Sequence, residues 1–181
     1  MSHPIGQYTY APATVVQSDP RAADVAEYVA TLIRSRCPQV EVEHVGSTSI
    51  PACAGKGIID MMAVYPDGML VSCRSAIDGL GFQPQTFGEP FPETRPMRVG
   101  VVTRHGRAYR VHVHVLAASS DEVPAIRAFR DRLRGDPSLV RAYVDRKLDL
   151  VDAGVVRSPD YALAKGGFIR AVLSSDPATA A

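Results

Sequence analysis

The chain has 181 residues, 46 % of them hydrophobic, enough to bury a sizeable core. Its formal charge of +1 excludes nucleic-acid binding driven by bulk charge, and 17 Arg against three Lys (Lys56, Lys147, Lys165) means that each lysine needs a reason. Cys37, Cys53 and Cys73 are odd in number and form no CxxC pair, the pattern of reduced thiols rather than a disulfide frame or zinc site.

Residues 1–18 lack periodicity and read as an arm, 19–175 as a single domain, and 176–181 as a disordered tail. From Asp19-Pro20 the apolar positions Ala22, Val25, Ala26, Val29, Leu32 and Ile33 predict a helix that Pro38 ends. Val40–Val45 reads as a strand, Ser47-Thr48-Ser49 before Pro51 as a capped short helix, and Gly57–Tyr65 as a central strand. A helix over Met69–Leu80 closes at Gly81, and Met97–Thr103 with Tyr109–Ala117 forms a hairpin around "RHGR". Three helices follow, at roughly 120–134, 137–152 and 159–174, and they also admit reading as a helical subdomain. The order predicts an α/β (α+β) fold, a small mixed sheet under helices with a C-terminal helical segment. No start of a basic-then-apolar leader type and no apolar run of ~18 residues is present, so a cytoplasmic protein with no membrane partner is expected.

The stretch "VEVEHVGSTSIPACAGKGIIDMMAV" concentrates the signals. A strand ending in Gly46-Ser47 and entering a helix start is a natural anion seat, with Thr48 and Ser49 adding hydroxyl donors; a plain capped turn is the alternative. Asp60 sits among Ile58, Ile59, Met61 and Met62, where a charge is costly unless it is paired or binds a metal. Twelve residues separate Ser47 from Asp60, enough for one helical turn and a return to the neighbouring strand. Phosphate donors beside a metal-binding carboxylate are the parts that phosphoryl or nucleotidyl transfer needs.

Four blocks in order, "EHVGSTSIP…GKGIIDMMAV", "RVHVHV", "FRDRLRGDPSLVRAYVDRKLDL" and "YALAKGGFI", resemble the GrpB family (UPF0157-like) from about Val40 to Leu173. The resemblance implies the polymerase-β-like nucleotidyltransferase fold. That superfamily follows its Gly-Ser with a strand bearing two carboxylates two residues apart, which hold two Mg²⁺ ions for in-line attack. Gly46-Ser47 and Asp60 match that pattern, and Met62 stands at the second carboxylate position. Gly57 replaces a usual proline, and Ala22 a usual tryptophan.

In "RVHVHVLA" the alternation turns Val111, Val113 and Val115 one way and Arg110, His112 and His114 the other. Two imidazoles at i, i+2 bind one metal, clamp an anion, or line an ordinary half-exposed face. The resemblance puts this strand where the superfamily has its third carboxylate, so His112 or His114 is a candidate replacement suited to Mn²⁺ or Zn²⁺. His44 and Glu43 point to opposite faces, so at most one directly faces the site. Arg130, Lys147 and Lys165 each fall by helical spacing inside an apolar stripe, either snorkelling or facing an anion. Five arginines around the hairpin form a basic patch, but no aromatic alternation suggests base stacking, so nucleic acid is disfavoured as a partner.

Two readings result. One is a nucleotidyltransferase: phosphates on Gly46, Ser47, Thr48, Ser49 and Lys56, a divalent Mg²⁺ or Mn²⁺ on Asp60 with His112 or His114, and Arg130, Lys147 and Lys165 neutralising charge. It would pass nucleoside monophosphate from a triphosphate to an unknown acceptor. The other is a binding or regulatory protein for a nucleotide or other phosphorylated small molecule that has lost turnover, which Met62 favours.

Overall fold

The computed structural model describes residues 3–88 and 90–175, so the expected tail at 176–181 lies outside them. Helix α1 (Ala22–Arg36) leads into β1 (Glu41–Val45), a 3-10 turn (Ser47–Ser49), β2 (Ile59–Tyr65) and α2 (Leu70–Asp78). Then come β3 (Gln83–Pro84), β4 (Met97–Arg104), β5 (Arg107–Ala117), α3 (Glu122–Gly135), α4 (Pro137–Asp152) and α5 (Ser158–Ser174). The strands form one mixed sheet in the order β1-β2-β5-β4-β3, with β2 and β5 parallel and the other neighbours antiparallel. The two-residue β3 is too short to leave a periodic signal.

Strand parity divides the sheet. Ile59, Met61, Ala63, Tyr109, Val111, Val113 and Val115 bury against α1 and α2 in the main core. The alternate positions put Asp60 beside His112, and Met62 beside His114, on the opposite face. The far part of that face is sealed by α3, where Val45, Met62, Val64, Leu116 and Val123 cluster. The near part, at the start of β2, is left for polar groups. A third cluster packs Ile50 and Cys53, next to the 3-10 turn, against Leu133, Val140, Tyr143 and Val172 of the C-terminal helices. That packing brings α4 and α5 over the same end of the sheet.

The β4–β5 hairpin turns on His105 and Gly106, at φ 52° and 70°, the paired positive values that a two-residue type I′ loop requires. The arm is tied down in register: Gly6 exchanges backbone hydrogen bonds with Val101, and Val16 with Gly55. Helix α4 starts on a strong cap. Asp136 accepts from the backbone N–H of Ser138 and Leu139 at 2.8 and 3.3 Å, and Pro137 opens the first turn. Asp136→Ala is expected to cost about 1 kcal/mol, read as a lower denaturant midpoint at unchanged slope.

Candidate functional site

Gly46 makes the central approach possible. Its φ of 66° with ψ of −172° is a conformation essentially restricted to glycine. A Cβ there would lie 2.4 Å from Asp60 Oδ2, so the bend and the carboxylate are in van der Waals contact. His112 joins them, its Nδ1 3.6 Å from Asp60 Oδ1 and its Nε2 hydrogen-bonded to the Tyr8 hydroxyl at 2.9 Å. The bend, the acid and one of the two paired imidazoles therefore share one end of the sheet.

The three hydroxyls of the bend have separate fates. Ser49 donates to the Gly46 carbonyl at 2.8 Å and Thr48 to the Ile58 carbonyl at 3.0 Å, so both hold the loop's own backbone. Ser47 alone turns toward the cations: Lys147 Nζ donates to its Oγ at 3.3 Å, to the Ala54 carbonyl, and lies 3.4 Å from Cys53 Sγ. Gly55 permits this, since a Cβ there would sit 3.0 Å from Ser47 Oγ and 3.3 Å from Lys147 Nζ.

All three lysines of the chain converge here. Lys147 Nζ is 4.3 Å from the Tyr143 ring, and Lys56 and Lys165 Nζ stand 5.4 and 4.7 Å from the Tyr161 ring. None of these ammonium groups makes a direct ion pair among the described residues, in contrast to the many arginines that do. Tyr161 is fully buried beneath Lys56 and Lys165, and its hydroxyl has no hydrogen-bond partner among the described residues. Burial depresses the proton affinity of Lys165, to about 8, with Lys56 adding repulsion and Asp60 partly offsetting both. Lys56 and Lys147 are lowered for the same first reason. Burial raises Asp60 to about 6 despite the attraction of Lys56 and Lys165. Burial also drives His112 down to about 3, so the imidazole is neutral near pH 7.

Other expected members lie elsewhere. Arg130 is spent on Glu43 and Asp131, at 2.8 and 2.7 Å, and does not join the lysines. Glu43 also binds Arg127, while His44 Nε2 hydrogen-bonds the Thr48 hydroxyl at 3.0 Å, so neither enters the site. His114 faces Phe91, Arg95 and Glu122, on the row with Met62 rather than with Asp60. Met62 is completely buried in the apolar cluster under α3. No group of three His, Cys, Asp or Glu converges to hold a metal among the described residues. Asp60 and His112 are two donors with ammonium groups facing the acid, a set that does not fit a resident two-metal centre. Tyr8, Tyr161 and Cys53 are site residues that pattern reading missed. Tyr8 and Tyr10, two apart in an aperiodic arm, were the available signal.

The fold is a mixed α/β sheet with an anion-poor, lysine-lined site at the mouth of β2, and no helix among the described residues is long and apolar enough to cross a membrane. The family model described as GrpB protein matches residues 12–175. The chain belongs to the GrpB family. A UPF0157 protein of Pseudomonas aeruginosa is 35 % identical over 61 % of this chain, which spans only 44 % of that relative's length. The crystal structure of the conserved protein GrpB from Enterococcus faecalis overlays with a TM-score of 0.67 at 22 % identity, covering 88 % of this chain and 94 % of that one. A looser overlay, TM-score 0.49 at 13 % identity, is with the MgGTP-bound Cid1 poly(U) polymerase, covering 72 % of this chain and 42 % of that one.

Proposed function

We propose that the protein binds a polyphosphorylated small molecule, a nucleoside triphosphate in the first place, with its phosphates on Lys56, Lys147, Lys165 and Ser47. The observation that carries this reading is the gathering of the chain's three lysines, without a direct ion-pair partner among the described residues: Lys147 at Ser47, and Lys56 and Lys165 over the ring of Tyr161, whose buried hydroxyl lacks a hydrogen-bond partner among those residues. Lys147 is buried and Lys56 and Lys165 are half-buried, and a cation withdrawn from water is costly unless an anion compensates it. A phosphate supplies both the charge and the acceptor oxygens that Lys147, Tyr161 and Ser47 can use. Neutral His112, hydrogen-bonded to Tyr8, stands beside Asp60 without adding charge.

A second reading, transfer of a nucleoside monophosphate to an unknown acceptor, is favoured by the contact of Asp60 with the Gly46 bend. Among the described residues no group of three donors converges to hold a metal, and turnover is not part of the first reading. Thermal shift with each nucleoside triphosphate, with and without Mg²⁺ or Mn²⁺, separates the two. Binding alone predicts stabilisation that needs no metal and survives in Asp60→Ala. Transfer predicts stabilisation that needs the metal and is lost in that variant. An unchanged melting temperature with every triphosphate overturns both.

A further inference from the structure

Beyond Asp60 and His112 the site continues into an aromatic wall that the phosphate reading does not use. Tyr8 stacks on Phe87, ring centroids 5.2 Å apart and planes within 16°. Tyr10 meets the same Phe87 at 5.1 Å. Tyr8 and Phe87 stand 5.3 and 5.9 Å from the His112 ring, whose Nδ1 is 3.6 Å from Asp60. Three segments distant in sequence thus bring three aromatic rings and an imidazole together on the side of Asp60 reached through His112.

Two features go beyond packing. Tyr10 is 40 % exposed, an aromatic face left to solvent next to a polar site. Gln85 is buried, its Nε2 donates to the Phe87 carbonyl, and its Oε1 has no partner among the described residues. A buried amide oxygen left unpaired beside an aromatic shelf is an acceptor that a donor on a planar ring would satisfy. The shelf is held in place independently of any ligand. Tyr8 N–H donates to Gln83 Oε1 at 3.0 Å, and the arm pairs with Val101 at Gly6.

We propose that Tyr10, Phe87 and Tyr8 form the seat of a nucleobase, so that the lysine site takes a nucleoside polyphosphate whose base stacks on this wall beside His112. The inference rests on the phosphate reading above and adds the base to it. Stacking is tolerant of base identity because every base offers a π face. The seat therefore predicts weak discrimination among bases, sharpened only by the Gln85 amide.

The chain has no tryptophan, so Tyr10→Trp installs a single fluorescent reporter on an exposed position of the shelf. Wild type, Tyr10→Trp and Phe87→Ala are each titrated with ATP, GTP, CTP, UTP and inorganic tripolyphosphate, binding being followed by calorimetry. The expected result is that triphosphate nucleotides quench Trp emission while tripolyphosphate binds without doing so. Phe87→Ala then weakens nucleotide binding at least tenfold and leaves tripolyphosphate within twofold. Unchanged emission with nucleotide and tripolyphosphate of equal affinity in wild type and Phe87→Ala overturns the base seat and leaves the phosphate site standing. Failure of both nucleotide and tripolyphosphate to bind wild type overturns both.

Discussion

Asp60→Asn is expected to raise the stability of the ligand-free protein at pH 7 to 8 by about 2 kcal/mol, roughly 5 °C in melting temperature. The cause is the environment of β2. Burial lifts the Asp60 carboxyl from 3.8 to about 6, more than Lys56 and Lys165 can offset. Between those two values the folded chain binds more protons than the unfolded one, so stability falls as pH rises from about 4 through about 6 and then levels off. The carboxylate remains 28 % exposed, so water screens part of the cost, and the figure is set below the full shift. Asparagine keeps the shape and removes the titration. Its advantage should therefore shrink to a small remainder at pH 4, at the foot of that interval. Melting curves of the two proteins from pH 4 to 8 check this. Parallel curves, or a less stable Asp60→Asn at pH 8, would show that the lysines already compensate the acid. An acid held at a cost to the fold is what a site residue, rather than a packing residue, looks like.

How far this arrangement was legible in the chain depends on what each signal encodes. Alternation along β5 separated Val111, Val113 and Val115 from His112 and His114, because strand parity is a backbone property and α1 and α2 cover the valine face. The RHGR turn was legible because positive φ at two successive positions leaves few sequences to choose from. Helical spacing marked Arg130, Lys147 and Lys165 alike as cations within apolar stripes. It cannot say what faces them: Glu43, on β1 across from α3, takes Arg130, while Ser47 and the Ala54 carbonyl receive Lys147. The sequence offers the hydroxyls of Thr48 and Ser49 as ligand donors, but the tight loop leading to Ile58 needs them for its own carbonyls. His112 and His114 share a face yet not a site, since α3 begins its cover between them, at the row of Met62. Tyr8, Tyr10 and Phe87 meet only through the path of the arm, which has no periodicity to read.

Replacing either Lys147 or Lys165 by methionine is expected to weaken tripolyphosphate binding by about 30-fold or more, the equivalent of one charged hydrogen bond at roughly 2 kcal/mol. Arg130→Met should change it by less than threefold, because Glu43 and Asp131 already hold that guanidinium. Isothermal titration at pH 7 measures all three. Methionine keeps the apolar stem that packs beside Tyr143 or Tyr161 and deletes only the charge. The pH dependence provides a separate check on Lys165. Its folded value is depressed to about 8 from 10.5, so the unfolded chain holds the proton longer and ligand-free stability rises across that interval. Anion affinity runs the other way, declining above pH 8 as the ammonium is lost, and Lys165→Met should abolish that decline. Wild-type affinity in both lysine variants, or an equal loss in Arg130→Met, would mean that these cations are structural and that phosphate binds elsewhere. The opposing slopes are the diagnostic, because a lysine kept only for packing would gain stability on deprotonation without any matching loss of binding.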